Sequence, residues 1–142
     1  MGRQTPSDFI WTTIVSPLIV SARVIALLQD SAVSGWSSYP VEVLNRDGEV
    51  LEGYAGLSII GRCGRMEFER SLEVPKEYPA GTFPVYKGLF FPPESWDGSD
   101  FFMPSDGTLY VFAVDRVQKL FRKARITNVA FERADLAERP AR

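Results

Sequence analysis

The chain contains no histidine and one cysteine, Cys63, in 142 residues. Without an imidazole, Ser-His-Asp and Cys-His catalysis are excluded. So is a zinc site built from Cys and His within one chain. One cysteine cannot form an intrachain disulfide, which fits a reducing compartment. A surplus of charge is also missing: 16 Lys and Arg stand against 18 Asp and Glu, for a net charge of −2. Phosphate recognition needs a basic excess, so nucleic acid is not expected as a partner. A long apolar run is missing too. The stretch 14–28 comes closest, but Pro17 interrupts it and Arg23 lies inside it. It falls short of the roughly 20 residues of a membrane span. Pro6 stands where the myristoylation pattern requires Ser or Thr. These absences point to a cytoplasmic protein with no membrane anchor, metal or cofactor.

What is present suits one hydrophobic core. Hydrophobic residues make up 45% and charged residues 24%, and the length fits a single domain over 1–142. The ends, 1–7 and 137–142, are polar and are expected to be mobile tails. Phe9–Val15 reads as a strand and Leu18–Val20 as an extended piece. Ser21 is placed to cap a short helix whose Val24, Leu27 and Leu28 share one face and which stops near Asp30. A strand over Tyr39–Leu44, the turn Asn45-Arg46-Asp47-Gly48 and a return strand over Glu49–Ile60 follow, with a bend at Gly53 or Gly56. Arg65–Glu69 reads as a short strand. Pro75, Pro79 and Gly81 make 71–82 irregular, Phe83–Phe91 is extended, and 92–107 is the longest loop. Thr108–Ala113, Asp115–Ala124 and Asn128–Phe131 complete a strand, helix, strand series. The sum is an α+β domain: a mostly antiparallel sheet with two short helices.

That last series has a counterpart. Shifting it back by 93 positions places Arg116-Val117 on Arg23-Val24, Leu120-Phe121 on Leu27-Leu28, and Ile126-Thr127-Asn128-Val129 on Val33-Ser34-Gly35-Trp36. Two related strand-helix-strand units packed together would explain it. Shared helix-capping chemistry could create part of the match.

Candidate sites are few. Asp97-Gly98-Ser99-Asp100 lacks the twelve-residue calcium pattern and suits an Asx turn. Glu94, Asp97 and Asp100 are the carboxylates nearest to an acid/base set, without a further catalytic partner. Trp96, Phe101 and Phe102 are aromatic anchors of the kind interfaces use, or else they close the core beneath the loop. Trp96, Asp97, Asp100, Phe101 and Phe102 are therefore the candidate partner-binding residues. Arg62 and Arg65 beside Cys63 would favour a thiolate, but with no base available a packed thiol is the better reading. Lys119, Arg122, Lys123 and Arg125 read as a solvated helix face. Glu42, Asp47, Glu49, Glu52, Glu67, Glu69, Glu73 and Glu77 could form an acidic face that steers a basic partner.

GLSIIGRCGRMEF at 56–68, KGLFFPPESWDGSDFFMP at 87–104 and LYVFAVDRVQKLFRKARITNVAFERADL at 109–136 resemble the imm11-like (DUF1629-like) immunity proteins of bacterial polymorphic toxin systems. VSARVIALLQDSAVSGWSSYPVEV at 20–43 extends the resemblance to about residues 16–136. The string Trp96-Asp97-Gly98-Ser99-Asp100 is its most specific part. The resemblance implies a non-enzymatic partner that binds and blocks a cognate protein toxin domain encoded nearby. It assigns no toxin-contacting residues. The cysteine pairs of some relatives have no match here, so no metal role transfers. Other readings are a small-molecule or peptide-binding accessory domain, a carboxylate-only enzyme, and a module assembling through strand edges, as a homo-oligomer or otherwise.

In the second helix Val117, Leu120, Phe121 and Ala124 share a face, and burying a Leu contributes about 1.5–3 kcal/mol. Leu120→Asp is expected to lower the urea midpoint more than deletion of any charge in this helix. An unchanged midpoint would mean that the face is exposed.

Overall fold

The computed structural model describes residues 7–11, 18–108 and 110–140. Among them are two α-helices and twelve short strands, an α+β architecture in which antiparallel pairing dominates. In the first unit β1 (Phe9–Ile10) pairs antiparallel with β2 (Leu18–Ser21), which runs directly into α1 (Ala22–Asp30). Val24 and Leu28, one turn apart, are the side chains α1 buries. The chain then enters β3 (Trp36–Pro40) and a small hairpin of β4 (Val43–Leu44) and β5 (Val50–Leu51). Asn45 closes that hairpin by accepting from the amides of Asp47 and Glu49 on its side-chain oxygen. The return strand breaks at Gly53, whose φ is +83°. It continues as β6 (Tyr54–Ile59), antiparallel to both β2 and β3, so the sheet order is β1-β2-β6-β3.

After β7 (Arg62–Cys63) and a 3-10 turn at Phe68–Arg70, β8 (Leu72–Tyr78) and β9 (Gly81–Lys87) form the longest hairpin. A second 3-10 turn, Pro93–Ser95, leads to β10 (Phe101–Pro104) and β11 (Phe112–Ala113). β10 pairs antiparallel with β11 and parallel with β7. The second helix is α2 (Asp115–Ala124), and β12 (Glu138–Pro140) adds to the outside of β9.

Several expectations are corrected. Residues 71–82 are not irregular: Pro75 lies opposite Pro84 in a regular ladder, on a strand at the edge of its sheet where proline is tolerated. Arg65–Glu69 is not a strand, and the first strand after β6 is β7. The loop 92–107 contains β10, which pairs with β7, some forty residues earlier, and with β11 just beyond the loop. Asn128–Phe131 is unpaired among the described residues, and Asn128 has a φ of +60°. The strand predicted over Thr108–Ala113 is reduced to Phe112–Ala113, with residue 109 outside the described residues. The strand predicted over Phe9–Val15 is seen at Phe9–Ile10, and its end, 12–15, also lies outside them. The C-terminal segment is not a loose tail as far as it is described: β12 pairs with β9, and Ala137 is buried. Arg139 lies between two rings, with its guanidinium 4.1 Å from the Phe68 centroid and 4.5 Å from that of Tyr86.

The core is shared by the two units. Phe9, Val20, Val24 and Leu28 from the first meet Phe101, Val117 and Phe121 from the second, with Leu57 and Ile59 of β6 between them. Leu120 is half-buried against this cluster, so Val117 and Phe121 are the main anchors of α2. β10 approaches the first unit so closely that a Cβ on Gly35 or Gly61 would lie 2.0 Å from the Phe101 carbonyl oxygen.

Candidate functional site

The two strand-helix units are locked together by a reciprocal pair of arginines. Arg23, at the start of α1, places Nε and Nη2 on the two carboxylate oxygens of Asp8, at 2.8 and 2.7 Å. The same guanidinium crosses to the end of α2. There it donates to the carbonyls of Ala124 and Arg125, both at 2.7 Å. Arg116, at the start of α2, does the same in reverse. It binds Asp100 at 2.7 Å and donates to the carbonyls of Ser31 (2.8 Å) and Ala32 (3.4 Å) at the end of α1. Each positive charge sits where the partner helix has unsatisfied carbonyls and the negative end of its dipole.

The carboxylates repeat the pattern. Asp8 accepts from the Thr127 amide at 2.8 Å, and its own amide donates to Thr127 Oγ1 at 2.9 Å. Asp100 accepts from the Ser34 amide at 2.9 Å, and its amide donates to Ser34 Oγ at 3.1 Å. Both helices end in the same turn. Val33 donates to Leu28 and Ala32 to Gln29; Ile126 donates to Phe121 and Arg125 to Arg122. Ala32 and Arg125 are left-handed at φ +51° and +55°. Every one of these helix and turn pairs is 93 residues apart, so the suspected repeat is a structural one. The aspartates are 92 apart, so one residue has been gained or lost between strand and helix.

Burial alone would raise the pKa of Asp8. The hydrogen bonds from Arg23, Ser21 and Thr127 outweigh it and hold the carboxyl well below the usual carboxylate range. In Asp100, burial is likewise outweighed by the Ser34 amide and by Arg116. Ser21 occupies the N-cap position as expected, but its hydroxyl donates to Asp8 rather than capping the helix. Arg116 lies off the apolar face of α2, yet it is held in a structural ion pair with Asp100, so among the charges of this helix its deletion is expected to cost the most stability.

The predicted partner-binding residues divide. Asp100 belongs to the lock. Asp97 makes an Asx turn, accepting from the Ser99 amide and hydroxyl, and also accepts from the Arg62 amide. The Ser99 hydroxyl and amide hold its pKa down. Phe101 and Phe102 are buried, on opposite faces of β10 as strand alternation requires. Phe101 enters the shared core, and Phe102 enters an aromatic cluster with Phe91, Phe112 and Trp96. They are core residues rather than surface anchors. Trp96 is partly exposed and donates from Nε1 to the Ser99 carbonyl. Cys63 is buried, and burial followed by Asp106 and Asp97 pushes its thiol up, contrary to the thiolate reading.

A large concave feature among the described residues lies elsewhere. A groove of about 570 Å³ runs along the seam. Phe9, Leu57, Ile59, Phe101 and Phe121 line it, with Tyr110–Ala113 and Val129–Ala134 as its walls. Asp115, Gln118, Glu132 and Arg133 supply its polar groups. Trp11 is more than half exposed in the groove, stacked on Phe9 with ring centroids 5.6 Å apart. Its Nε1 donates to the Asn128 carbonyl at 2.6 Å. The chain matches no known family model and no curated protein. Sequence reasoning missed this groove because one wall, Val129–Ala134, carries no strand pairing, and its floor gathers Phe9, Leu57, Ile59 and Phe101 from distant parts of the chain. It also missed Asp8. The signal was present: Ser7-Asp8-Phe9 and Ser99-Asp100-Phe101 are the same tripeptide.

Among the described residues there is no cluster of Cys, Asp and Glu that could hold a metal ion. No helix of the described residues is long and apolar enough to cross a membrane.

The lock has a pH signature. Both aspartates titrate below their unfolded value, near 3.9, so the folded chain binds fewer protons than the unfolded one at acid pH. The stability they contribute is complete above about pH 5 and is lost as pH falls through the folded values. Asp8→Asn is expected to lower unfolding free energy by roughly 3 kcal/mol at pH 7, because Arg23 and Thr127 lose a charged acceptor. The deficit should shrink towards pH 2.5. Urea titrations at both pH values check this, and an equal deficit at the two would rule out the ionised lock.

Proposed function

We propose that this chain is a non-enzymatic immunity protein that binds a cognate toxin domain stoichiometrically and blocks it in the cytoplasm. The observation that carries this reading is the apolar groove with Trp11 exposed in it. Interface anchors are aromatic residues in desolvated pockets, and a groove of this size seats such contacts. The carboxylates favour binding over catalysis. Asp8, Asp97, Asp100 and Asp106 are each engaged by amides or hydroxyls and each have a lowered pKa, which stabilises structure and leaves no raised acid to donate a proton. The resemblance of 16–136 to imm11-like proteins supplies the toxin as the partner. Of the eight acidic residues proposed as a steering face, all but Glu67 are exposed, which suits a role in encounter with a basic partner.

A small apolar ligand is the second reading, favoured by the groove volume, which lies within the roughly 300–1,000 Å³ of small-molecule sites.

The test is co-expression with the toxin domain encoded beside this gene. The immunity reading expects restored growth and a one-to-one complex, weakened about tenfold or more by Trp11→Glu in a variant that still unfolds cooperatively. Growth arrest without a complex, together with a thermal shift from a long-chain fatty acid or another apolar compound, would favour the second reading.

A further inference from the structure

The internal repeat shows what the groove is built to hold. In the first unit, β6 lies between β2 and β3 and is antiparallel to both. Ninety-three residues on, β2 corresponds to 111–114 and β3 to 129–133. Those two segments are the walls of the groove, and among the described residues no strand lies between them. In the first unit the chain loops through β4 and β5 and returns as β6. In the second it turns at Ala134 and leaves. Leu89 donates to the Ala134 carbonyl and Gly88 to that of Ala137, which commits the following residues to β12 on another sheet. Among the described residues, the groove therefore lies where the first unit has a strand.

The lock fixes which backbone groups face the groove. Val114 donates to Asp100, as Ser21 does to Asp8, so both of these amides point to the outer strand. By alternation, Val111 and Ala113 turn their N–H and C=O groups towards the groove, as Leu18 and Val20 turn theirs towards β6. On the opposite wall, Val129–Glu132 make no backbone hydrogen bond within the described residues. In the first unit the Gly35 carbonyl accepts from Ile60 and Gly61. Its counterpart, the Asn128 carbonyl, is held by Trp11 instead. The floor is apolar and takes side chains at alternate positions, as Leu57 and Ile59 of β6 fill the equivalent space.

We infer that the groove takes an extended segment of the protein partner as an inserted strand, antiparallel to both walls and carrying aliphatic side chains at alternate positions. Strand addition of this kind draws affinity from backbone hydrogen bonds and specificity from the alternate pockets. The inference rests on the protein-binding reading above and names its mode.

The experiment uses the full chain and a synthetic probe, the β6 sequence GYAGLSII flanked by lysines, followed by amide hydrogen exchange. The expected result is saturable slowing, of about tenfold or more, at Val111, Ala113, Ala130 and Glu132. It should be lost when alternate amides of the peptide are N-methylated in one register and kept in the other. No protection, protection elsewhere, or indifference to N-methylation would overturn strand insertion. So would amides already protected in the free protein, because the chain's own residues 12–17 or a second copy would then fill the place. None of these results bears on whether the toxin domain forms a complex in co-expression, so strand insertion can fail while the immunity reading stands.

Discussion

Arg23 and Arg116 each complete the helix to which they do not belong. A helix of nine or ten residues is marginal in water, and neither α1 nor α2 has a side-chain cap at its start. What they have is a cation from the other unit on their final carbonyls, aligned by an aspartate, buried in the case of Asp8 and partly buried in that of Asp100. Arg23 is about half exposed, so its Coulomb attraction is screened. The value of the arrangement lies in geometry. Asp8 is buried, and its acceptor capacity is met by Arg23, Ser21 and Thr127 together. Break one bond and a desolvated charge is left short of donors, which costs more than the bond itself contributes. The core forms where the lock holds it: Phe9 and Phe101, each directly after a lock aspartate, enter the same apolar cluster from the two units.

The reciprocity is incomplete, and the departures from it are informative. β6 closes the first unit, and among the described residues the second has no strand in that place, because the chain after Ala134 is diverted to β9. The result is an apolar groove between the free edge of β11 and a segment, Val129–Ala134, that is unpaired among the described residues. Such an arrangement favours binding. The toxin as partner and the insertion of a strand remain proposals, the first drawn from the resemblance of the sequence and the second from the symmetry.

Much of this was legible in the sequence. The helices announce themselves by apolar residues at i, i+3 and i+4, and the repeat by the recurrence of Arg-Val at their starts. The Asn45 turn and the break at Gly53 follow from local chemistry. Elements held by distant partners were not legible. β10 reads as loop because Pro104, Asp97 and Gly98 surround it, and its strand character comes from β7 and β11. β8 contains Pro75, which argues against a strand unless the strand lies at an edge. Phe101 and Phe102 look like exposed anchors until alternation across β10 puts one in each of two cores. Asp8 sits between a polar end and the first predicted strand, and only its tripeptide match to Ser99-Asp100-Phe101 marks it.

The most direct test of the reciprocal lock is a double-mutant cycle between Arg23→Ala and Arg116→Ala, measured by urea unfolding at neutral pH. The two guanidinium groups make no hydrogen bond to one another and serve different aspartates. If the seam holds as one unit, losing either lock loosens the other. The double variant should then fall short of the summed single losses by about 1 kcal/mol or more. Losses that add to within about 0.5 kcal/mol would mean two independent ion pairs, and the two units would not depend on each other as described.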